Sequence, residues 1–314
     1  MRILVTGGRG YLGGRISKVL MELGHDVTIT TRNPQLISES HLGVKILSPN
    51  WNSKSELQKV CYGKDLVIHA AGVNAQDCQN NPSIALEFNG NATGRLVRAA
   101  EESEVKTFIY LSTAHVYSNR LSGFIDEETP TLNEHPYATS HLLGESKVLE
   151  SCHTTKKLVI RLSNVYGAPS NRFVDCWGLF INDISRQVAT QKYITLRSDG
   201  SQERDFVPLS ELLGFLSDIC QSKIEINLPV LLNFGSGNSM TLLEVANKVR
   251  ILSKSVFGFA PEIEVGSPNQ EKSDSRLSFS TLHNSLLSRY KTREMDEEIL
   301  ELLQFARHNF ATGA

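Results

Sequence analysis

The sequence predicts an α/β protein, a doubly wound parallel sheet followed by a smaller C-terminal region. Three observations carry this prediction. Short apolar runs alternate with helical periodicity six times before residue 168. The runs are apolar almost throughout, as strands buried on both faces are. A glycine-rich turn joins the first run to the first helical segment. Parallel neighbours need crossover helices, and right-handed crossovers wind the sheet in both directions.

The elements follow in order. "RILVT" (2–6) is the first strand, and "YLGGRISKVLMELG" (11–24) is a helix with Leu12, Ile16, Val19, Leu20 and Leu23 on one face. Strands follow at 25–31 and 44–48, then a helix near 53–62 and a strand at 65–72. A long helix spans 83–103, a fifth strand 106–113, a helix 140–153 and a sixth strand 157–167. The pattern is irregular beyond 168. Residues 1–167 are expected to form the first domain, with 205–222 returning to it, and 168–204 and 223–314 the smaller region.

Composition narrows the function classes. The chain has 314 residues, 40% hydrophobic and 21% charged, with a net charge of −2. That range is ordinary for a globular protein and disfavours a nucleic-acid surface. The five cysteines form no CxxC pair and no metal spacing, so reduced thiols and no metal are expected. No apolar run approaches the ~20 residues of a membrane span. The chain opens directly on a strand, which is read as no signal peptide and a cytoplasmic protein.

"TGGRGYLGG" (6–14) places glycines at 7, 10 and 13 of a strand-to-helix junction. Gly7 would allow the tight turn, Gly10 the close approach of a pyrophosphate and Gly13 close packing of helix on strand. With Tyr11 and Leu12 these open a helix N-terminus, a natural anion site. A carboxylate at the end of the second strand usually holds the adenosine ribose of NAD. This chain has Thr31 there, with Arg32 next. Nothing repels a 2′-phosphate and Arg32 could pair with one, so NADP is favoured over NAD. A solvated loop charge is the competing reading of Arg32.

Eight segments in this order resemble the extended short-chain dehydrogenases/reductases, in the nucleotide-sugar epimerase/dehydratase group. They are "TGGRGYLGG", "DLVIHAAG" (65–72), "NATG" (91–94), "YLSTAHVYS" (110–118), "YATSHLLGE" (137–145), "RLSNVYGAP" (161–169), "DGSQERDFV" (199–207) and "LNFGSG" (232–237). The resemblance implies a Rossmann-type cofactor domain and a substrate region. By position it makes Thr113 the hydroxyl that binds the reacting sugar oxygen, and Tyr137 the acid or base on that oxygen. It places Ala70, Ala71, Gly72 and Asn91 at the cofactor, Asn164 and Val165 along the cofactor and substrate, and Arg204 at the substrate diphosphate. Asn50 stands loosely where an adenine-binding aspartate is common. The family's helices corresponding to 83–103 and 140–153 pair into dimers, so a homodimer is expected on that ground.

The chain departs from the pattern at one point. His141 occupies the place of the family's lysine, four residues beyond Tyr137 on the same helical face. A phenol with a pKa near 10 needs a nearby cation to act as a base. Histidine is mostly neutral at pH 7. It could be a working substitute that donates a ring N–H to the ribose. The site could instead use another acid or base, such as His115. Redox activity could have been lost while binding survived. Lys147, ten residues beyond Tyr137 and some three turns away, is no replacement.

Other residues read more plainly. His69 is a packed core histidine, 126–135 a solvated acidic loop and 294–310 a packing helix. Arg172 and Asn182 are polar enough to touch substrate, without a stronger claim. Arg204 could instead pair with Glu203 or Asp205. The leading function is an NAD(P)-dependent nucleotide-sugar epimerase or ketoreductase, with hydride transfer at a sugar carbon. A dehydratase is disfavoured because Ala114 and His115 follow Thr113 where an acid/base pair is usual. The alternative is a non-catalytic dinucleotide-binding or regulatory protein.

Overall fold

The structure is a computed structural model that describes residues 1–32, 43–151, 155–223, 230–267, 276–291 and 294–311. Of the helix expected at 140–153, the described part ends at Leu149, and residues 152 and 153 lie outside the described residues.

A seven-stranded sheet forms the first unit's centre. Its strands are β1 (Arg2–Thr6), β2 (Asp26–Thr30), β3 (Lys45–Leu47), β4 (Leu66–His69), β5 (Thr107–Thr113), β6 (Lys156–Leu162) and β7 (Leu231–Phe234). They lie in the order β7-β6-β5-β4-β1-β2-β3, so the winding reverses between β1 and β4. The pairs β1–β2, β2–β3, β1–β4, β4–β5 and β5–β6 are parallel. Every residue of β4 and β5 is buried, which is why these runs carry no polar alternation. The helices are α1 (Tyr11–Glu22), α2 (Lys54–Cys61), α3 (Ala75–Asn80), the one-turn α4 (Pro82–Ala85), α5 (Thr93–Glu102) and α6 (Pro136–Leu149). A π-helical stretch, Leu86–Ala92, joins α4 to α5.

Register places four polar residues side by side. Thr6 pairs with Thr30 on one side and His69 on the other, and His69 pairs with Tyr110. Parallel strands that begin together thus bring their carboxyl ends level, where ligands of open α/β sheets bind.

Two compact units divide the chain. The first holds 1–120, 127–162 and 216–233, and the second holds 121–126, 163–215 and 234–314. These limits differ from the sequence-based ones. The apolar run 157–167 is broken at Ser163, and Asn164–Tyr166 pairs with Glu203–Pro208 in a separate three-stranded sheet. Leu231–Phe234, expected in the smaller region, is the edge strand of the central sheet. The second unit also contains helices Phe180–Gln191, Leu242–Phe257 and Met295–Phe310, the last with Ile299, Leu302, Leu303 and Ala306 buried. No helix among the described residues is long and apolar enough to cross a membrane.

Candidate active site

The glycine turn at the end of β1 has no room for a side chain at Gly7, Gly8 or Gly13. Gly7 has φ +66°, and a Cβ there would lie 2.8 Å from the Ala70 carbonyl oxygen. A Cβ on Gly13 would lie 2.3 Å from the Gly7 carbonyl oxygen, so α1 can approach β1 only with glycine at 13. Gly10 precedes α1 and supplies no side-chain cap to its first turn, Tyr11, Leu12 and Gly13. A helix start capped by no side chain, in a turn where a Cβ on Gly7 or Gly13 would meet backbone, fits the pyrophosphate of a dinucleotide. Thr31 follows β2, its amide bonded to the Leu47 carbonyl at 3.0 Å, and Arg32 is exposed. The amides of Ala70 and Ala71 donate to Thr6 Oγ1, and Gly72 is exposed just beyond. Asn50 is exposed and organises the turn before α2. Its amide donates to Glu56 at 2.7 Å and its side-chain oxygen accepts from the Asn52 amide at 3.0 Å.

Thr113 ends β5 and is buried. Its hydroxyl accepts the His115 amide at 3.2 Å and lies close enough to the phenol of Tyr137 to influence its titration. Tyr137 lies in the first turn of α6, behind Pro136 at a position that needs no amide donor. One turn on, His141 packs its ring edgewise against Tyr137, with centroids 4.6 Å apart. The three residues nominated as catalytic therefore stand together. Burial raises the Tyr137 pKa above its ordinary value, the Thr113 hydroxyl lowers it in part, and Cys78 raises it further. His141 is buried and its pKa is pushed down to about 4, wholly by loss of solvent. The imidazole is thus neutral at pH 7, and Tyr137 has no cation from this residue.

A polar network holds α6 in place. Glu145 receives Arg161 through Nε at 3.1 Å and Nη2 at 2.7 Å, and the Ser112 hydroxyl at 2.5 Å. Arg161 Nη1 donates to the Tyr117 hydroxyl at 2.9 Å, and Tyr117 donates to Asn233 at 2.7 Å. Both charges of the Arg161–Glu145 pair are buried, and several hydrogen bonds satisfy each.

Asn91 does not join this centre. It is exposed and donates to Glu87 at 2.9 Å. Asn89 is the buried asparagine. Its side-chain oxygen accepts the Val73 amide at 2.8 Å, and its nitrogen donates to Ser140 on α6 at 3.1 Å. The sequence carried a signal for this choice. Asn89, Thr93, Leu96 and Ala100 share a buried face, whereas Asn91, Arg98 and Glu102 are exposed. The π-helical widening around Asn89 adds to the effect, a feature common near functional sites.

His69 is a satisfied core histidine, bonded to Thr6 at 2.6 Å and Thr93 at 2.8 Å. His115 is half-buried, and its carbonyl accepts Asn133 at 2.6 Å. Among the described residues no group of His, Cys, Asp and Glu could hold a metal ion.

In the second unit, the Asn164 side chain donates to the Asp205 carbonyl at 2.8 Å, and Val165 is buried. Arg204 is partly buried, bonded to Gln202 at 3.2 Å, with no carboxylate partner among the described residues. Asp205 is occupied by the Ser236 hydroxyl at 2.7 Å and the Gly237 amide at 2.8 Å. Glu203 accepts the Leu277 amide at 2.7 Å. The internal ion pair that would make Arg204 merely structural does not form. Asn182 is buried and donates to the Gly167 carbonyl at 2.9 Å, and Arg172 lies over the Phe173 ring.

Comparison with known proteins agrees with this picture. The uncharacterized UDP-glucose epimerase YtcB of Bacillus subtilis is 25% identical over 307 residues, 90% of this chain and 92% of its own. The probable low-salt glycan biosynthesis reductase Agl14 of Haloferax volcanii is 31% identical over 169 residues, 54% of this chain and 55% of its own. The fold matches the UDP-glucose 4-epimerase of Thermus thermophilus in complex with NAD at a TM-score of 0.75 and 21% identity, over 98% of this chain and 99% of the other. The model of the NAD dependent epimerase/dehydratase family matches residues 3–217, and the chain belongs to that family.

Proposed function

We propose that this protein is a cytoplasmic nucleotide-sugar ketoreductase that prefers NADPH, with Tyr137 as the proton donor. The observation that carries the reading is the buried, neutral His141 against Tyr137. An epimerase first asks its tyrosine to take a proton, which requires a stabilised phenolate. A half-buried phenol with a raised pKa and no adjacent cation stays protonated at neutral pH, so it holds a proton to give and offers little phenolate to act as a base. Reduction asks only for the acid.

The dinucleotide, when bound, supplies the hydride. Gly7, Gly10, Tyr11, Leu12 and Gly13 would hold its phosphates, and Ala70, Ala71 and Gly72 its neighbouring part. Thr31 leaves room for a 2′-phosphate, and Arg32 would pair with it. Thr113 hydrogen-bonds the ketone oxygen and orients it. Tyr137 gives its proton to that oxygen as the carbon gains hydride, so the ketone becomes a hydroxyl. The phenolate left behind takes its next proton from solvent. His141 would donate an N–H to the nicotinamide ribose, and Asn164 and Val165 belong to the same proposal. Arg204, bonded to Gln202 but with no carboxylate partner among the described residues, would bind the substrate diphosphate through its planar fork. A homodimer through α5 and α6 is part of the proposal.

The test pairs nucleotide identity with reaction direction. Nucleotide released from the denatured protein is identified by mass spectrometry, and keto and hydroxy nucleotide sugars are offered with NADPH and NAD. Consumption of NADPH with a keto sugar is the expected result. Tightly held NAD with interconversion of 4-epimers would refute it. The same neutral site also favours a second reading, binding without catalysis. His141→Lys separates the two, since turnover that appears only in this variant supports the non-catalytic reading.

A further inference from the structure

The hydrogen bonds around His141 form a chain whose direction can be worked out from one end. The amides of Ala70 and Ala71 both point at Thr6 Oγ1, each at 3.2 Å. An amide N–H can only donate. The threonine's own hydrogen therefore goes to its other neighbour, His69 Nδ1, at 2.6 Å. His69 is buried and its pKa is pushed down to about 3, first by burial and then by His141. Its single ring proton sits on Nε2, 2.8 Å from Thr93 Oγ1. Thr93 in turn gives its hydrogen to the Asn89 carbonyl at 2.7 Å. Two backbone amides thus assign every proton along this run.

Tyr110 stands at the far end. Its phenol lies 2.9 Å from His141 Nδ1 and 3.5 Å from the Asn89 carbonyl, with Thr93 beside it. The carbonyl has no hydrogen to offer, and Thr93 has committed its own. The phenol has one hydrogen. A separation of 2.9 Å suits a hydrogen bond, whereas 3.5 Å is beyond the usual O–H···O range. The ring planes of Tyr110 and His141 are stacked at 22°, which keeps the two groups facing in one orientation. We infer that Tyr110 is a positioning residue that donates to His141 Nδ1 and so holds His141 as the Nε2–H tautomer.

The consequence is a donor reserved for a ligand. His141 Nε2 has no partner among the described residues, although the residue is only 6% exposed. A neutral N–H would then stand where the family has a lysine ammonium. That it serves a ribose hydroxyl rests on the function proposed above. The tautomer itself does not.

The decisive measurement is made without substrate or cofactor. Long-range proton–nitrogen correlation spectra of the full-length protein with 15N-labelled histidine are recorded at pH 7.5, and His141→Gln identifies the His141 signals by their loss. A protonated Nε2 and a bare Nδ1 are expected. Tyr110→Phe should replace this pattern by an average of both tautomers, while His69 keeps its own pattern and reports an intact fold. A wild-type His141 protonated on Nδ1 would overturn the inference, as would an unchanged tautomer in Tyr110→Phe. If that variant does not fold, the wild-type spectrum decides alone. NADPH binding to Tyr110→Phe should weaken by roughly 2- to 10-fold, the loss of one hydrogen bond. An averaged tautomer with unchanged affinity would remove His141 from the dinucleotide's partners and count against the proposed function, leaving the tautomer assignment in place.

Discussion

Acid should erode the advantage that wild type holds over a His141→Gln variant. The folded protein holds the His141 pKa at about 4, against about 6.5 in an unfolded chain. The folded value is the lower one. Between the two values the unfolded chain takes up the proton and the folded protein does not. The contribution is therefore constant above about pH 6.5 and falls as pH drops toward about 4. At pH 5 the medium is about 1.5 units below the unfolded value, which corresponds to ~2 kcal/mol lost at about 1.4 kcal/mol per unit. Glutamine does not titrate, so the stability difference between the two proteins should shift by ~2 kcal/mol between pH 7 and pH 5. The difference matters because other groups titrate as well. His69, at about 3, acts in the same direction. Glu211, pushed up to about 7 mainly by burial, gains stability as pH falls and acts in the opposite direction. Both are present in both proteins and largely cancel. Urea melts followed by tryptophan fluorescence suit the measurement, since Trp51 lies against His69 at 5.9 Å in the same unit. Parallel pH profiles for the two proteins would refute the buried neutral imidazole.

Four further outcomes follow from named contacts. Tyr137→Phe should lower turnover by about 10²- to 10⁴-fold, the range for a lost acid, while NADPH affinity measured by titration stays within a few-fold. Arg204→Ala should raise KM for the nucleotide sugar by roughly 10- to 100-fold with kcat preserved, because a charge-assisted contact is lost in ground and transition states alike. Gly13→Ala should abolish dinucleotide binding in calorimetry, since its Cβ would meet the Gly7 carbonyl at 2.3 Å. Arg161→Met should cost about 3–5 kcal/mol in urea melts by stranding the Glu145 charge, and the double variant with Glu145→Leu should recover part of that loss.

How much of this was legible in the sequence depended on how local the cause was. The inner strands β4 and β5 announce themselves because burial on both faces leaves each run largely apolar along its whole length, while β3, at the edge, is only partly buried. The glycine turn is legible because steric exclusion acts within a few residues. Thr113, Tyr137 and His141 come together as their positions suggest, since two of them share a helix. Leu231–Phe234 gave no local sign of joining the central sheet, because its place is set by pairing with β6, far away in the chain. The run 157–167 looked continuous because a change of sheet at Ser163 leaves its apolar character intact. Asn91 is named through a motif register, whereas the buried face of the helix points to Asn89, which meets Ser140 on α6. Tyr110 looked like one more buried strand residue, and only the fold brings His141, 31 residues later, to its hydroxyl.

That last contact bears on whether the exchange of lysine for histidine marks decay. A decaying site would be expected to leave orphaned polar atoms where the longer side chain had been. Around His141 a single nitrogen, Nε2, is left open, and the side chains behind the ring are satisfied. Tyr110, Thr93, His69 and Asn89 contribute no buried side-chain atom without a partner among the described residues. Nδ1 of His141 is satisfied at 2.9 Å. Polar groups in a desolvated interior are costly when half-satisfied and rigidifying when complete. A complete network with one open donor at its end is what selection for a neutral hydrogen-bonding group would leave. This coherence is what the fitted-histidine proposal requires of the residues behind the ring.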